Sequence, residues 1–97
     1  MKGFKEIGND FYLRNVTFTD YGTSSIVKGE IKNNSRNDFA TVSFNMTVFG
    51  ENEHVIAELD FSIRGIKSGA IKPFEEVLSG VSPSQVSRYE LKHKKSL

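Results

Sequence analysis

Apolar and polar residues alternate with a period of two through the middle of the chain. Between residues 39 and 49 the odd positions 41–47 are polar and the even positions are apolar, the apolar set being Ala40, Val42, Phe44, Met46 and Val48. Successive side chains of a β-strand point to opposite faces of a sheet, whereas one face of a helix repeats about every 3.6 residues. The run therefore predicts a β-strand with these even-numbered side chains in a core and its other face in solvent.

The same alternation is present before and after this run. Residues 26–33 and 54–66 each place apolar side chains or glycine on one face, namely Val27, Gly29 and Ile31 in the first and Val55, Ala57, Leu59, Phe61 and Ile63 in the second. An inward-facing Gly29 leaves room for a bulky neighbour from a facing sheet. Polar connectors at 34–38 and 50–53 join the three runs, which predicts consecutive antiparallel strands.

A less regular strand is predicted over Phe11–Thr19. Phe11 and Leu13 lie on the opposite parity from Val16 and Phe18, so an uninterrupted strand would send one of these pairs to solvent. A β-bulge near Arg14-Asn15 would bring both pairs inward. The strand ends at a turn in which Gly22 supplies a positive φ.

The last third of the chain contains two further strands. Residues 70–78 are interrupted by Pro73, which cannot donate a ladder hydrogen bond, so this strand is predicted to be an edge strand or a bulged one. One helical turn is expected after Pro83, and residues 86–93 form a strand with Tyr89 and Leu91 inward. Six or seven short strands without a helical period indicate an all-β antiparallel β-sandwich, with a small barrel as the alternative.

The chain resembles FxLYD domains in four segments. Residues 27–35 follow the pattern V-x-G-x-I-x-N-N-S, and residues 46–50 lie where the family has its Phe-x-Leu-Tyr-Asp motif. Downstream, residues 66–69 with 73–75 are similar to the family's L-x-P-G…F-x segment, and residues 89–91 to its Y-x-L strand. The resemblance covers about residues 13–92. It departs from the family where Met46, Val48, Phe49 and Gly50 replace Phe, Leu, Tyr and Asp, and where Lys67-Ser68 lacks a proline.

The resemblance implies an immunoglobulin-like β-sandwich of about seven strands with no established activity. Such domains are usual in bacterial or archaeal proteins that are exported or tethered to a membrane. We expect residues 1–9 to form a flexible arm, residues 10–93 to form one FxLYD-like domain, and residues 94–97 to form a basic tail.

Composition narrows the classes of function. The chain of 97 residues has no cysteine, and its 13 basic and 12 acidic residues give a formal charge of +1. Disulfides, thiolate zinc sites and thiol nucleophiles are therefore excluded, and near-neutral charge argues against a nucleic-acid partner. The sequence contains no apolar run of membrane-spanning length, and residues 1–8 lack the apolar core of a secretory signal. We expect a cell-envelope location if the chain belongs to a longer exported protein, with the cytoplasm as the alternative.

Candidate chemistry is sparse. His54 and His93 have no metal-ligand spacing and are predicted to be solvated, and the serines do not lie in a strand-to-helix elbow. The segment Asn33–Asp38 is rich in oxygen atoms but lacks the glycine and terminal glutamate of a calcium loop, which favours an ordinary Asx-rich turn. The basic end formed by Arg88, Lys92, Lys94 and Lys95 is predicted to be a solvated tail. We therefore predict no catalytic residues, no cofactor and no metal.

Three apolar residues at outward-facing strand positions suggest a surface that binds a protein partner. Phe39, Phe49 and Ile56 are apolar residues on the outward parity of the central strands. Large apolar side chains clustered on a wet face are typical of a protein-binding site. The alternative is that connectors or terminal arms, such as Phe4 and Ile7, cover them.

The sequence thus predicts a non-catalytic immunoglobulin-like interaction or spacer domain, a module of a cell-envelope protein that offers sheet faces and edges to a protein partner. The alternative is a cytoplasmic inhibitor or accessory subunit that binds an enzyme through the loops Asn33–Asp38 and Gly50–Glu53.

Overall fold

A computed structural model describes residues 3–97 as seven β-strands and two short 3-10 turns. The strands are β1 (Lys5–Gly8), β2 (Phe11–Tyr21), β3 (Ser24–Asn33), β4 (Phe39–Phe49), β5 (Val55–Ile66), β6 (Ile71–Leu78) and β7 (Arg88–Ser96), and the turns are Glu51–Glu53 and Pro83–Gln85. The helical turn expected after Pro83 is confirmed. Within residues 3–97 the structure has no helix with the length and apolar character needed to cross a bilayer.

The strands form two antiparallel sheets packed face to face. The four-stranded sheet has the order β1-β2-β3-β6, and the three-stranded sheet has the order β5-β4-β7. The chain changes sheet after β3, after β5 and again after β6, a Greek-key path of the kind that immunoglobulin-like sandwiches use. The predicted all-β, immunoglobulin-like antiparallel sandwich is confirmed.

Strand β4 is the centre of the core, as its alternation predicts. Val42, Phe44, Met46 and Val48 are all 0% exposed. Ala40, at the start of the strand, is the exception because it is exposed. Its backbone N–H donates to the carbonyl of Leu97 at 2.8 Å, so this end of β4 is held by the C-terminus.

The predicted bulge in β2 is present. Pairing with β3 shifts register between Arg14 and Thr17, and Asn15 adopts φ = 57°. Phe11 and Leu13 are buried, and Val16 packs against the same core from the other side of the bulge. One extra residue therefore brings both halves of the strand inward, together with Phe18.

A second register shift lies in β5. Val48 is paired with Ala57 but Phe49 is paired with Val55, so Ile56 is the extra residue. Ile56 turns toward the core, while Val55 is 56% exposed. The prediction that Val55 faces inward is therefore wrong, and the shift beside the 51–53 turn is the reason.

The predicted edge position of β6 is confirmed, and its Phe74 fills the space over Gly29. A Cβ on Gly29 would lie 2.6 Å from Cε2 of Phe74, which is its pairing partner in the same sheet. The bulky neighbour thus comes from the adjacent strand and not from the facing sheet. The Phe74 ring then stacks on Phe61 of β5, with centroids 4.7 Å apart.

Both predicted terminal segments are more ordered than expected. Residues 5–8 form β1, which pairs with β2, and Ile7 packs against the core, so this part is not a loose arm. Met1 and Lys2 lie outside the described residues. Strand β7 continues to Ser96, and Leu97 donates its N–H to the carbonyl of Thr41, so residues 94–97 are not a free tail.

Candidate functional site

A cleft lies between the edge of β7 and the edge formed by β1 and β2. It has a volume of about 490 Å³, within the range of a few hundred to a thousand cubic ångströms usual for binding pockets. Its floor consists of Ile7, Leu13, Val16, Tyr89 and Leu91, and its rim carries Lys5, Glu6, Arg14, Glu90 and Lys92. We call this side of the sandwich the open side, because no strand of residues 3–97 pairs with the outer edge of β7.

The floor of the cleft is part of the core. Leu13 and Leu91 are buried, and Val16 and Tyr89 pack against the core cluster from its margin. The Tyr89 ring lies 5.6 Å from that of Phe18, centroid to centroid, and burial raises the pKa of the Tyr89 phenol. An apolar group entering the cleft would meet aliphatic and aromatic carbon.

The rim is charged, and several of its charges are already paired. Arg14 Nε donates to Glu30 Oε1 at 2.8 Å, and that bond holds the pKa of the Glu30 carboxyl below its usual value. The Arg14 guanidinium also lies 4.3 Å from the ring centroid of Phe4. Glu90 accepts a hydrogen bond from Arg88 at 2.9 Å, which lowers its pKa, whereas Lys92 is 3.9 Å from Glu90 and 70% exposed.

His93 follows the cleft residue Lys92 on β7 and packs against β2. Its ring stacks on Phe11 at a centroid distance of 4.9 Å, Asn9 Nδ2 donates to its Nδ1 at 2.7 Å, and its Nε2 lies 2.7 Å from Ser96 Oγ. Desolvation lowers the pKa of His93 from its ordinary value of 6.5. The prediction that His93 is solvated is therefore wrong, because Phe11 covers it; His54 is exposed as predicted.

The three residues of the candidate partner surface are not brought together. Phe39 packs against the core, with its ring 5.8 Å from that of Phe11, and Ile56 packs against the core at its bulge. Phe49 lies at the other end of β4 from Phe39, with the Arg88 guanidinium 3.9 Å from its ring centroid. Over an 11-residue strand the two ends are separated by about 30 Å. These residues form no single patch. Phe11 packs against Phe39, and Arg88 covers the ring of Phe49.

The Asn33–Asp38 loop is a turn tied by its own polar groups. Asn33 is fully buried; its side-chain amide donates to the carbonyls of Asn37 and Ile66, and its Oδ1 accepts bonds from Ser35. Asp38 accepts a bond from the Ser68 N–H at 2.8 Å. The residues 3–97 contain no group of three or more metal-ligating side chains.

The basic end is largely paired. Arg88 bonds Glu53 at 2.7 Å and Glu90 at 2.9 Å, and Lys94 Nζ lies 3.4 Å from Asp60. These side chains lie on the outer face of the three-stranded sheet. The hydrogen bond from Arg88 lowers the pKa of Glu53, and the hydrogen bond from the Asn45 amide, with a smaller effect of Lys94, lowers the pKa of Asp60. They belong to an ordered strand and not to a tail.

A group of exposed apolar side chains on the four-stranded sheet was not predicted from the sequence. Val77 pairs with Ile26, which pairs with Thr19, and Tyr21 lies diagonal to Ile26 on the same face. Tyr21 and Val77 are 59% and 49% exposed. The alternation in β3 could have predicted this group, because Ile26 must face outward if its neighbour Val27 faces inward.

Comparison with known proteins supports the fold and does not extend to function. No protein-family model matches the chain, and no curated protein matches it. The fold is similar to the crystal structure, at 1.81 Å resolution, of a DUF1425 family member from Shewanella sp. pv-4, with a TM-score of 0.62 and 13% sequence identity. The similarity covers 90% of this chain and 79% of that chain. At this identity the likeness shows a shared immunoglobulin-like β fold, and membership of the FxLYD family stays a prediction.

Proposed function

We propose that this domain is a non-catalytic interaction module that binds another protein through its open side. The observation that carries the proposal is the combination of an edge of β7 that no strand of residues 3–97 pairs with and a cleft beside it that has an apolar floor and a charged rim. Apolar pockets with a few convergent polar groups are the usual form of a binding site. Unpaired sheet edges are ready templates for association with another chain.

The open side is a better candidate binding site than the Asn33–Asp38 loop, through which an enzyme inhibitor would bind. The Asn33–Asp38 loop uses the side chains of Asn33, Ser35 and Asp38 within its own turn. A partner at that loop would have to replace bonds already made, whereas the cleft offers apolar surface and the exposed ammonium group of Lys92. This contrast favours an interaction module over a loop-directed enzyme inhibitor.

We also propose that the module belongs to a cell-envelope protein of the FxLYD type. The pattern of residues 27–35 supports this assignment, and the structure gives its inward glycine a physical role, since Gly29 makes room for Phe74. Fractionation of the native host tests the location. Recovery with the envelope is the expected result, and recovery with the soluble cytoplasm would contradict it.

Site-directed photo-crosslinking in the native host tests the interaction. A benzophenone amino acid at Lys92, on the rim of the cleft, is expected to trap one protein. The matched control places the same probe at Ser62, on the outer face of the three-stranded sheet, where Ser62 contacts Ser43. Equal products from both positions, or none from either, would contradict a partner at the open side.

A further inference from the structure

We infer that the partner occupies the open side as an extended strand, paired with the free edge of β7 and carrying acidic side chains in alternation with apolar ones. The inference rests on the proposed function and names the partner's conformation and chemistry. Four observations carry it: the backbone of β7, the unequal width of the sheets, the floor of the cleft and the charge of the strand.

The backbone of β7 offers half of a hydrogen-bonding ladder. The strand has nine residues, and its one hydrogen-bonded neighbour within residues 3–97 is β4. An antiparallel ladder on one side uses the N–H and C=O groups of alternate residues, so the other residues direct theirs to the opposite edge. An added strand would satisfy these groups, and main-chain bonds of this kind supply affinity in strand-addition complexes.

The sheets differ in width on this side. Strand β2 lies over β7, since Phe11 stacks on His93 and Phe18 lies 5.6 Å from Tyr89 between ring centroids. Strand β1 continues the four-stranded sheet beyond β2, and the three-stranded sheet ends at β7. A strand added beside β7 would lie opposite β1 and make the two sheets equal in width.

The floor of the cleft suits the side chains of such a strand. Leu13, Val16 and Leu91 line it with aliphatic carbon, and Tyr89 adds an aromatic face. Alternate side chains of an extended strand point to one side of the sheet, so every second residue of the partner would enter the cleft. Those residues would bury apolar surface there, which favours valine, isoleucine or leucine.

The basic residues of β7 favour acidic side chains at the partner's outward-facing positions. Strand β7 carries four basic residues against a single acidic one. Arg88 and Lys94 already pair with carboxylates of this chain. This leaves Lys92, 3.9 Å from Glu90, and Lys95 as the basic residues available to a partner. Opposite charges on adjacent strands stabilise pairing and like charges oppose it. The partner's outward residues should therefore be glutamate or aspartate.

Synthetic peptides test this inference with the full chain. The probe is a fluorescein-labelled peptide of nine residues, the length of β7, in which valine and glutamate alternate. One control peptide has lysine in place of glutamate, and the other has alternate backbone nitrogens methylated along the edge that would face β7. We expect saturable binding of the first peptide by fluorescence anisotropy, with binding of both controls weaker by about tenfold or more.

Matched protein variants locate the binding site. Lys92→Glu is expected to weaken binding of the acidic peptide by about tenfold, because it reverses a charge on β7. Lys28→Glu makes the same change of charge on the outer face of the four-stranded sheet, where Lys28 lies 3.4 Å from Glu75, and is expected to leave binding unchanged. Protection of β7 amides from hydrogen exchange by the peptide would confirm pairing.

Three results would overturn the inference. The first is that no peptide binds, in which case the lysines of β7 serve to keep the edge unpaired. The second is binding that survives backbone methylation, and the third is a dimer of this chain in which a second copy protects the β7 amides. If crosslinking from Lys92 traps a partner but the peptides fail, strand addition is rejected and the interaction module stands. If both fail, both are rejected.

Discussion

The two lateral sides of this sandwich differ in how they end. On one side the edge strands β5 and β6 meet through Phe61 and Phe74, whose rings stack with centroids 4.7 Å apart. On the other side β7 and the edge formed by β1 and β2 enclose a cleft of about 490 Å³. We call the first the closed side. Strands β5, β6 and β7 all lie at sheet edges, but aromatic packing fills the space between β5 and β6, whereas on the open side the edge of β7 lies beside a cleft with an apolar floor.

The largest expected effect lies on the closed side. Phe74→Ala should lower the free energy of unfolding by about 3–5 kcal/mol, because it removes a buried ring and one of the two aromatic rings that stack on Phe61. Urea denaturation measures the change. Val77→Ala, an exposed position on the same strand, is the control and should cost less than about 1 kcal/mol. Equal losses for the two variants would show that the closed side is not held by this contact.

A smaller effect is expected from filling the space above the glycine of the closed side. In Gly29→Ala the new Cβ would lie 2.6 Å from Cε2 of Phe74 and 3.2 Å from Cγ2 of Val16. Overpacking of this kind costs about 1–3 kcal/mol. Combining it with Phe74→Leu should cost less than the sum of the two single changes, as a double-mutant cycle would show. Strict additivity would contradict the proposed contact.

Lowering the pH should reduce the stability of the fold through His93, which lies on the open side. The pKa of His93 is lowered in the folded state, so the unfolded chain binds more protons near that pKa and stability falls as pH falls. The contribution is present above about pH 6.5 and is lost as pH decreases through the lowered folded pKa. Protonation of Nδ1 would also remove the acceptor used by Asn9. His93→Gln should flatten this part of the pH–stability curve measured by urea denaturation, and an unchanged curve would contradict the assignment.

The smallest expected change in stability is on the rim of the cleft. Lys92→Glu should alter the free energy of unfolding by less than about 0.5 kcal/mol, because Lys92 is 70% exposed and lies 3.9 Å from Glu90. The same variant is expected to bind the acidic peptide about tenfold more weakly. A large loss of stability would mean that Lys92 supports the fold.

The alternation of apolar and polar residues within each strand predicted most of the sandwich. In β2, Phe11 and Leu13 occupy odd positions, and Val16 and Phe18 occupy even ones. An uninterrupted strand could bury only one of these pairs, so the pattern was enough to predict a bulge. The shift at Ile56 left no such conflict, since the alternation continues through Val55. It became visible only when β4 and β5 were paired.

The open side could not be predicted from the same pattern. Alternation tells which face of a strand is buried, but it does not tell which strands are neighbours or which strand lies at an edge. Phe11 and His93 are far apart in sequence, so the contact that buries His93 has no local signal. The candidate surface of Phe39, Phe49 and Ile56 failed to assemble for a related reason: parity does not hold at strand ends or at a bulge.

Hydrogen exchange of the backbone amides of β7 in the isolated protein tests the central claim most directly. If the outer edge of β7 is unpaired, every second amide between Arg88 and His93, before the register shift in its pairing with β4, should exchange much faster than its neighbours, which bond to β4. Amides of β4, which is paired on both sides, should all be protected. Uniform protection along β7 would show that its edge is already occupied and would contradict an open side.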